Sequence, residues 1–485
     1  MKQAQAHPLQ QWKPAREDIL RELKTGQKPQ EMICLGCAAK VELVSTVYPV
    51  LREVSRWLRE KTRIRLQPRD DVYHFETDGS IHVQRGRYKI SDLVEGRAEA
   101  VARDIQSYKP DGIVVLANFT PMNPTVGRDK MKRALMGYYE AAARTNHPFT
   151  VGKGHTIQIA KSEDQEYMIV DYFKSSGSKL NGVANNDTIS IIDPNLQYAS
   201  WISVFVALNN ALNDLFLCGV YKNLKVHPTF DARDPSDVAP IREALKRYGD
   251  RLAPCGIEIV DKEPLGFGTK SMGATVFGTT EREIPINQRL ATGQWLIATR
   301  PVGDLAPLTE FLIQQVLEED VGHLETLRMK VLETMLTPNI EAARIIESYL
   351  PRKGEAFNVD KHVTTARDMT GPGILAVEEL AEDSGMKIYL DDIKLHDELV
   401  AGVDMPNPTS GTNGAIIIAA QPDVARSVTR ELKEAGYSPW LMGRVEEKGD
   451  PKILINDKLQ RYPFVKGIQK GIFEHYEFVK ARRLA

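Results

Sequence analysis

Cysteine is scarce in this chain: Cys34, Cys37, Cys218 and Cys255 are the only four in 485 residues. Thiols so few and so scattered exclude a disulfide scaffold and agree with a reducing compartment. Net charge is nearly absent too, since 63 Lys and Arg face 65 Asp and Glu. No global field favours nucleic acid or an anionic membrane, so a bound phosphate has to be met by a local site. The opening segment MKQAQAHPLQQWKPARED lacks the apolar core of a signal peptide, and no apolar run is long enough to span a bilayer. The expectation is a cytoplasmic protein with neither nucleic acid nor membrane as partner. Two phosphate-binding signatures are missing as well. GxxxxGK[ST] does not occur, and no glycine cluster has the dinucleotide-binding spacing with its acidic follower.

What is present is ordinary globular material, 42% hydrophobic and 26% charged, enough for two or three domains. Residues 1–30 are polar, with one short helical pattern (PAREDILRELKTG), and read as an N-terminal extension. Residues 31–150 hold a cysteine loop and an α/β stretch: a helical pattern from Val41 to Glu60, a hairpin in VYHFETDGSIHV and a strand in GIVVLANF. Residues 151–282 read as a second unit, with a hairpin from His155 to Phe173, a strand TISIID and a helix in YASWISVFVALNNALNDLFLCG. That helix is apolar at helical spacing yet carries Asn209, Asn210, Asn213 and Asp214, a polar face that is costly unless something meets it. Residues 283–450 read as another α/β domain, with strands QWLIATR, MKIYL and GAIIIAA and a helix at 422–435. Residues 451–485 read as a tail packed on the surface.

Several segments invite chemistry. Cys37 lies in CLGCAAK with Lys40 close by, and a cationic neighbour lowers a thiol pKa. The CxxC spacing also suits zinc or disulfide exchange, but no second ligand pair accompanies it. Cys218 and Cys255 read as small buried hydrophobes. Asp193, Asp214 and Asp368 each stand at the edge of an apolar run, as cap or turn formers or as carboxylates for Mg²⁺ beside a polyphosphate. Asn210 is one helical turn before Asp214. The segments GFGTKSMG, GPG and TSGTNG would let backbone N–H groups approach phosphates, although each alone is commonly a turn. In the first of them Gly268, Thr269, Lys270 and Ser271 are the candidate nucleotide contacts.

The ordered set resembles one family. GCAAK at 36–40 is similar to the selenophosphate synthetase loop in which a Cys or selenocysteine is followed three residues later by a catalytic Lys. NALND at 210–214 resembles that family's Asn-Ala-Leu-Ser-Asp, and ARDMTGPGILAVEEL resembles its Thr-Asp-Val-Thr-Gly-Phe-Gly-Leu. NPTSGTNGAIIIAA and LMGRVEEKG are similar to later segments shared with AIR-synthase relatives. The resemblance implies a mixed α/β fold of two-domain AIR-synthase (PurM-like) architecture, enlarged by an N-terminal α/β insertion, and a homodimer. It implies ATP and Mg²⁺ as cofactors, with K⁺ as a further option, and a small inorganic nucleophile, selenide or sulfide. Cys37 and Lys40 would be catalytic, and Asp214 and Asp368 metal ligands.

The family's acid-bearing hairpin has no single counterpart here. Val170-Asp171-Tyr172-Phe173 fits its second strand, but Gly154-His155-Thr156 stands where two acids are expected. The nucleotide-side aspartate is therefore Asp171 or Asp193, and the first metal acid is open among Asp71, His155 and Asp187, with Asp71 preferred. The implied activity is ATP-dependent phosphoryl transfer to a chalcogen, giving selenophosphate, AMP and phosphate from ATP, selenide and water. A sulfide-using paralogue, a nucleotide-binding regulator without turnover and a zinc or redox CxxC protein are the alternatives.

Overall fold

The computed structural model describes residues 7–25, 72–75, 80–83, 86–89, 114–118, 149–152, 156–159, 181–189, 192–193, 195–230, 235–259, 272–285, 289–316, 320–370, 373–396, 414–449, 452–461 and 476–482. The chain divides into two units, Ala39–Asp187 and the larger Met1–Ala38 with Thr188–Ala485. Residues 151–187, which the sequence reading gives to the nucleotide-binding domain, fall in the smaller unit.

The smaller unit contains a six-stranded antiparallel sheet of β1 (Val72–Phe75), β2 (Ser80–Val83), β3 (Gly86–Lys89), β4 (Val114–Asn118), β5 (Phe149–Gly152) and β6 (Thr156–Ile159), in the order β3-β2-β1-β5-β6-β4. The expected hairpin around Asp78-Gly79 is β1 and β2, with His74 opposite His82. The partner strand read in EYMIVDYF lies outside the described residues.

In the larger unit, α1 (Arg16–Thr25) follows a single helical turn at Pro8–Trp12. The strand β7 (Asn181–Ile189) runs across the boundary between the units, and after it come α2 (Trp201–Phe216), β8 (Lys225–Phe230), α3 (Val238–Leu252), β9 (Glu258–Ile259) and β10 (Met272–Thr280). These strands form a sheet ordered β7-β10-β8-β9, and α2 packs on β10 and α3. Ser200 caps α2 by accepting from the Ile202 N–H at 3.2 Å. Fourteen of the sixteen α2 residues are buried, so its asparagines have to find partners inside the protein.

The C-terminal half alternates strands and helices: β11 (Trp295–Ala298), α4 (Leu305–Val316), α5 (Gly322–Met335), α6 (Ile340–Ser348), β12 (Thr365–Asp368), α7 (Ala376–Ser384), β13 (Met386–Leu390), β14 (Ile416–Ala420), α8 (Pro422–Ala435), β15 (Trp440–Lys448), β16 (Lys452–Asn456) and β17 (Tyr476–Val479). Its mixed sheet has the order β12-β14-β11-β15-β13-β16-β17. Alternation sorts its side chains. Leu296, Ala298, Ile417, Ala419, Ile388 and Ile453 enter one core with Val377 and Leu380 of α7, while α8 packs against β11 and β14. The residues read as a surface tail differ from expectation, because β16 and β17 extend this sheet in parallel beyond β13.

The N-terminal segment straps onto this half. His7 Nδ1 pairs with the Glu434 carbonyl at 2.9 Å, and the Trp12 indole N–H donates to Glu341 Oε1 at 3.2 Å. Asp18 meets Arg247 at 2.7 Å, and Ile19 is fully buried.

Candidate functional site

The polar residues of α2 divide by role. Asn209 is a tie: its Nδ2 donates to the Met335 carbonyl at 2.9 Å and its Oδ1 accepts from the Tyr248 hydroxyl at 2.6 Å. Burial pushes the Tyr248 phenol well above its ordinary range, so it stays a donor. Asn210 is buried and Asp214 is partly exposed at the C-terminal end of the helix.

Asn213 leads out of the helix. Its Oδ1 accepts from Asn339 Nδ2 at 2.8 Å, and the same Nδ2 donates to the Gly414 carbonyl. Asn339 precedes α6 at the N-cap, where an asparagine side chain ordinarily accepts a helix N–H. It makes no such bond. The Tyr437 hydroxyl accepts from the Ala342 N–H instead, at 3.2 Å. Gly414, with φ of +93°, opens the strand segment that follows TSGTNG. A Cβ there would lie 2.9 Å from both Arg300 Nη2 and Asn339 Nδ2, so this close approach needs glycine.

Asp368 ends β12, opposite Ile416 of β14, and its Oδ2 accepts from the Thr370 N–H at 3.4 Å. The Met369 N–H donates to the Ala415 carbonyl at 2.9 Å and the Ile416 N–H to Thr299 Oγ1 at 3.1 Å. Asp368, Gly414 and Arg300 thus share one end of the seven-stranded sheet, and α2 packs against β12 there. The Arg300 Nη1 donates to the Thr334 carbonyl at 2.9 Å, and Nη2 lies 3.7 Å from Asp304, which in turn is 2.5 Å from His396 Nε2. Burial draws the Arg300 guanidinium below its ordinary pKa, and the Asp304 carboxylate opposes that shift.

Several buried polar atoms at this junction have no hydrogen-bond partner among the described residues: Asn213 Nδ2, Asn339 Oδ1, Thr370 Oγ1, and Nε and Nη2 of Arg300. Leaving such atoms unpaired costs about 1–3 kcal/mol each, which a polar ligand would recover. Among the described residues no group of three or more His, Cys, Asp or Glu is placed to hold a metal ion. Asp214 and Asp368 therefore need ligands from elsewhere to bind one.

Asp193 stands apart. Its Oδ1 accepts from the Asn195 backbone and side chain at 3.0 and 3.1 Å, and its Oδ2 from Arg328 Nε at 2.7 Å. Both oxygens are engaged, Oδ1 within the turn and Oδ2 in a buried ion pair that fastens the turn to α5. Cys37, Lys40, Asp71, His155, Asp171, Gly268, Thr269, Lys270 and Ser271 lie outside the described residues. Cys218 is buried and Cys255 half-buried, and burial raises the Cys255 thiol pKa. No helix among the described residues is long and apolar enough to cross a membrane.

With this geometry in view, the family model for the C-terminal domain of AIR synthase related proteins matches residues 348–456. That stretch is an AIR synthase-related C-terminal domain. It takes in β12 with Asp368, Gly414 and β14, and it excludes α2. A curated relative, the selenide, water dikinase of Methanocaldococcus jannaschii, is 24% identical over 290 residues, spanning 57% of this chain and 81% of its own. The thiamine-monophosphate kinase of Stenotrophomonas maltophilia overlays with a TM-score of 0.43 at 13% identity, across 59% of this chain and 91% of its own. HypE of E. coli, a hydrogenase maturation protein, overlays at 0.40 with 18% identity, across 59% and 85%.

Of the residues at which this end of the sheet meets α2, the sequence reading passed over Asn339 and Arg300, which lie outside the matched stretch, while Gly414, the end of TSGTNG, lies inside it. A signal for Arg300 existed: an arginine closing the buried strand QWLIATR needs a partner. Nothing comparable marked Asn339, since Pro-Asn before a helix is ordinary cap chemistry.

Proposed function

We propose that the chain transfers a phosphoryl group from ATP to a small inorganic nucleophile, in the manner of a selenophosphate synthetase and as a homodimer. The observation that carries this reading is the buried amide link from α2, which holds Asn210 and Asp214, to the sheet end that holds Asp368 and Gly414. The donors there that lack a hydrogen-bond partner among the described residues, Asn213 Nδ2, Thr370 Oγ1 and Arg300 Nε, suit an anionic, oxygen-rich ligand. The dikinase relative supports the same chemistry.

On this reading Asp214 and Asp368, with Asp71 as a further acid, hold Mg²⁺. Bound Mg²⁺ supplies neutralisation of the phosphate charge. Asn210, with Asp171 or Asp193, contacts the nucleotide, and backbone N–H groups of Gly268, Thr269, Lys270 and Ser271 contact its phosphates. Lys40 stabilises the charge that develops as a phosphoryl group departs, and Cys37 delivers the chalcogen. Attack by selenide on phosphorus and hydrolysis of the remaining diphosphate balance as ATP, selenide and water giving selenophosphate, AMP and phosphate.

The test is phosphorus NMR of the protein with ATP and Mg²⁺ under anaerobic, reducing conditions, with selenide and sulfide added separately. A phosphorus–chalcogen resonance accompanied by AMP, abolished by Cys37→Ala and by Asp214→Asn, is expected, and the donor that produces it identifies the nucleophile. ATP that binds and stays intact with both donors would replace this reading with that of a nucleotide-binding regulator.

A further inference from the structure

We infer that His396 takes up a proton when an oxyanion binds at Arg300, so that the site draws such ligands more strongly as pH falls. The inference rests on the proposed function, which brings an anionic ligand to this junction, and concerns how that site is regulated. Neither Arg300, Asp304 nor His396 belongs to a segment that carries the family resemblance.

One buried carboxylate serves two bases. Asp304, fully buried just before α4, has the Arg300 Nη2 at 3.7 Å from its Oδ2 and the His396 Nε2 at 2.5 Å from its Oδ1. The His396 side chain is only 3% exposed. Backbone bonds hold it in place: the Val302 N–H donates to the Lys394 carbonyl at 2.9 Å and the His396 N–H to the Val302 carbonyl at 3.3 Å, between Arg300 and Asp304 in sequence.

Arg300 also belongs to the junction with α2. A Cβ on Gly414 would lie 2.9 Å from both Arg300 Nη2 and Asn339 Nδ2, and that Nδ2 donates to Asn213 Oδ1 at 2.8 Å. Arg300 Nε and Asn213 Nδ2, which lack a hydrogen-bond partner among the described residues, are therefore parts of one contiguous buried cluster.

The charges decide the coupling. Arginine keeps its proton near neutral pH, so with His396 neutral the Arg300 and Asp304 charges cancel. An oxyanion at Arg300 leaves the cluster net negative, and an uncompensated charge is costly away from water. Histidine is the side chain that can supply a counter-charge in this range. On binding, Arg300 then pairs with the ligand and Asp304 with the imidazolium. The neutral ring presents its Nε2–H to Asp304, so the added proton goes to Nδ1. Two other titratable groups stand near and do not compete for it. Burial holds the Tyr437 phenol, which faces Arg300, well above its ordinary range, and Lys394 is exposed. Because such coupling is reciprocal, a ligand that draws a proton to His396 binds more tightly where the proton is already present.

The experiment is isothermal titration calorimetry of the full chain without Mg²⁺, in buffers of different ionisation enthalpy. The probe is inorganic sulfate, whose charge is constant over the range in which histidine titrates, about pH 6–8. The wild type is expected to bind sulfate up to about tenfold more tightly for each pH unit lowered, with about one proton taken up per ion. His396→Gln, whose amide can still donate to Asp304, should bind it without pH dependence or proton uptake. Asp304→Asn keeps the test open should His396→Gln not fold. It removes the negative charge beside Arg300, so sulfate binding at the alkaline end of the range should tighten, and unchanged affinity there would overturn the inference. Equal pH slopes in the wild type and His396→Gln would overturn it as well. So would sulfate binding that survives Arg300→Met, which would make the bound sulfate an adventitious ion only. A wild-type protein that binds a fluorescent ATP analogue but no sulfate would overturn the inference and leave the proposed function standing, whereas one that binds no ATP analogue would overturn the proposed function.

Discussion

The Asp193 carboxylate has both oxygens engaged, two bonds from Asn195 and a fork from Arg328, whose guanidinium also lies over the Phe311 ring at 4.4 Å. Removing one member of a buried pair strands the other, at a cost of about 3–5 kcal/mol. Arg328→Met is therefore expected to lower stability by that order, measured by denaturant unfolding. Asp193→Asn separates the two roles open to this residue. Lower stability with nucleotide affinity retained in the folded fraction assigns it to the ion pair, whereas lost affinity at unchanged stability assigns it to the nucleotide.

At the scale of elements, local punctuation decided what could be read. The α8 helix was legible because Pro422 opens it, Gly436 closes it at φ of +103°, and Val424, Ala425, Val428 and Leu432 mark its buried face. MKIYL was legible as a strand, mostly apolar and interrupted only by Lys387, between a glycine and two aspartates. The strand β7 was not, since NGVANNDTI is rich in the residues that ordinarily make turns, and the reading began it at Thr188. Nor were β16 and β17, whose pairing is parallel and so depends on β13, more than sixty residues earlier in sequence for β16. The site divides in the same way. Asp214 and Asp368 stood out at the edges of apolar runs, while Asn339 and Arg300 acquire meaning only from partners that the fold brings to them.

The outer strand β17 gives a test at this scale. It covers the edge of β16, and its Tyr476 hydroxyl donates to Glu378 Oε2 at 3.1 Å while the Arg482 N–H donates to the Tyr389 hydroxyl at 2.9 Å. Ending the chain before Tyr476 uncovers an edge that carries Ile453, Leu454 and Ile455. The expected outcome is a loss on the order of 2 kcal/mol from the buried aromatic surface alone, together with concentration-dependent aggregation in light scattering. A truncated protein as stable and as monodisperse as the full chain would make β17 a surface ornament.

For the molecule as a whole, the smaller unit holds its own antiparallel sheet, and the larger unit resumes after it at Thr188. The composition anticipated more than one unit. It gave no sign that the first residues of the chain would be docked on the last third of it.

That strap has a consequence in time. His7 reaches a carbonyl 427 positions away, and Trp12 reaches a carboxylate 329 positions away. During synthesis the strap emerges before its seat, which is complete only after α6 and α8 have left the ribosome. Closing so long a loop is slow compared with the local pairing that builds each sheet. In a stopped-flow refolding experiment, the slowest fluorescence phase should report Trp12 entering its pocket and should lose amplitude in Trp12→Phe while the faster phases persist. Unchanged slow-phase amplitude in that variant would mean the strap seats early. If it does seat last, the order of manufacture and the order of assembly run in opposite directions in this protein, and the newly made strap has to wait, exposed, for the surface that will shelter it.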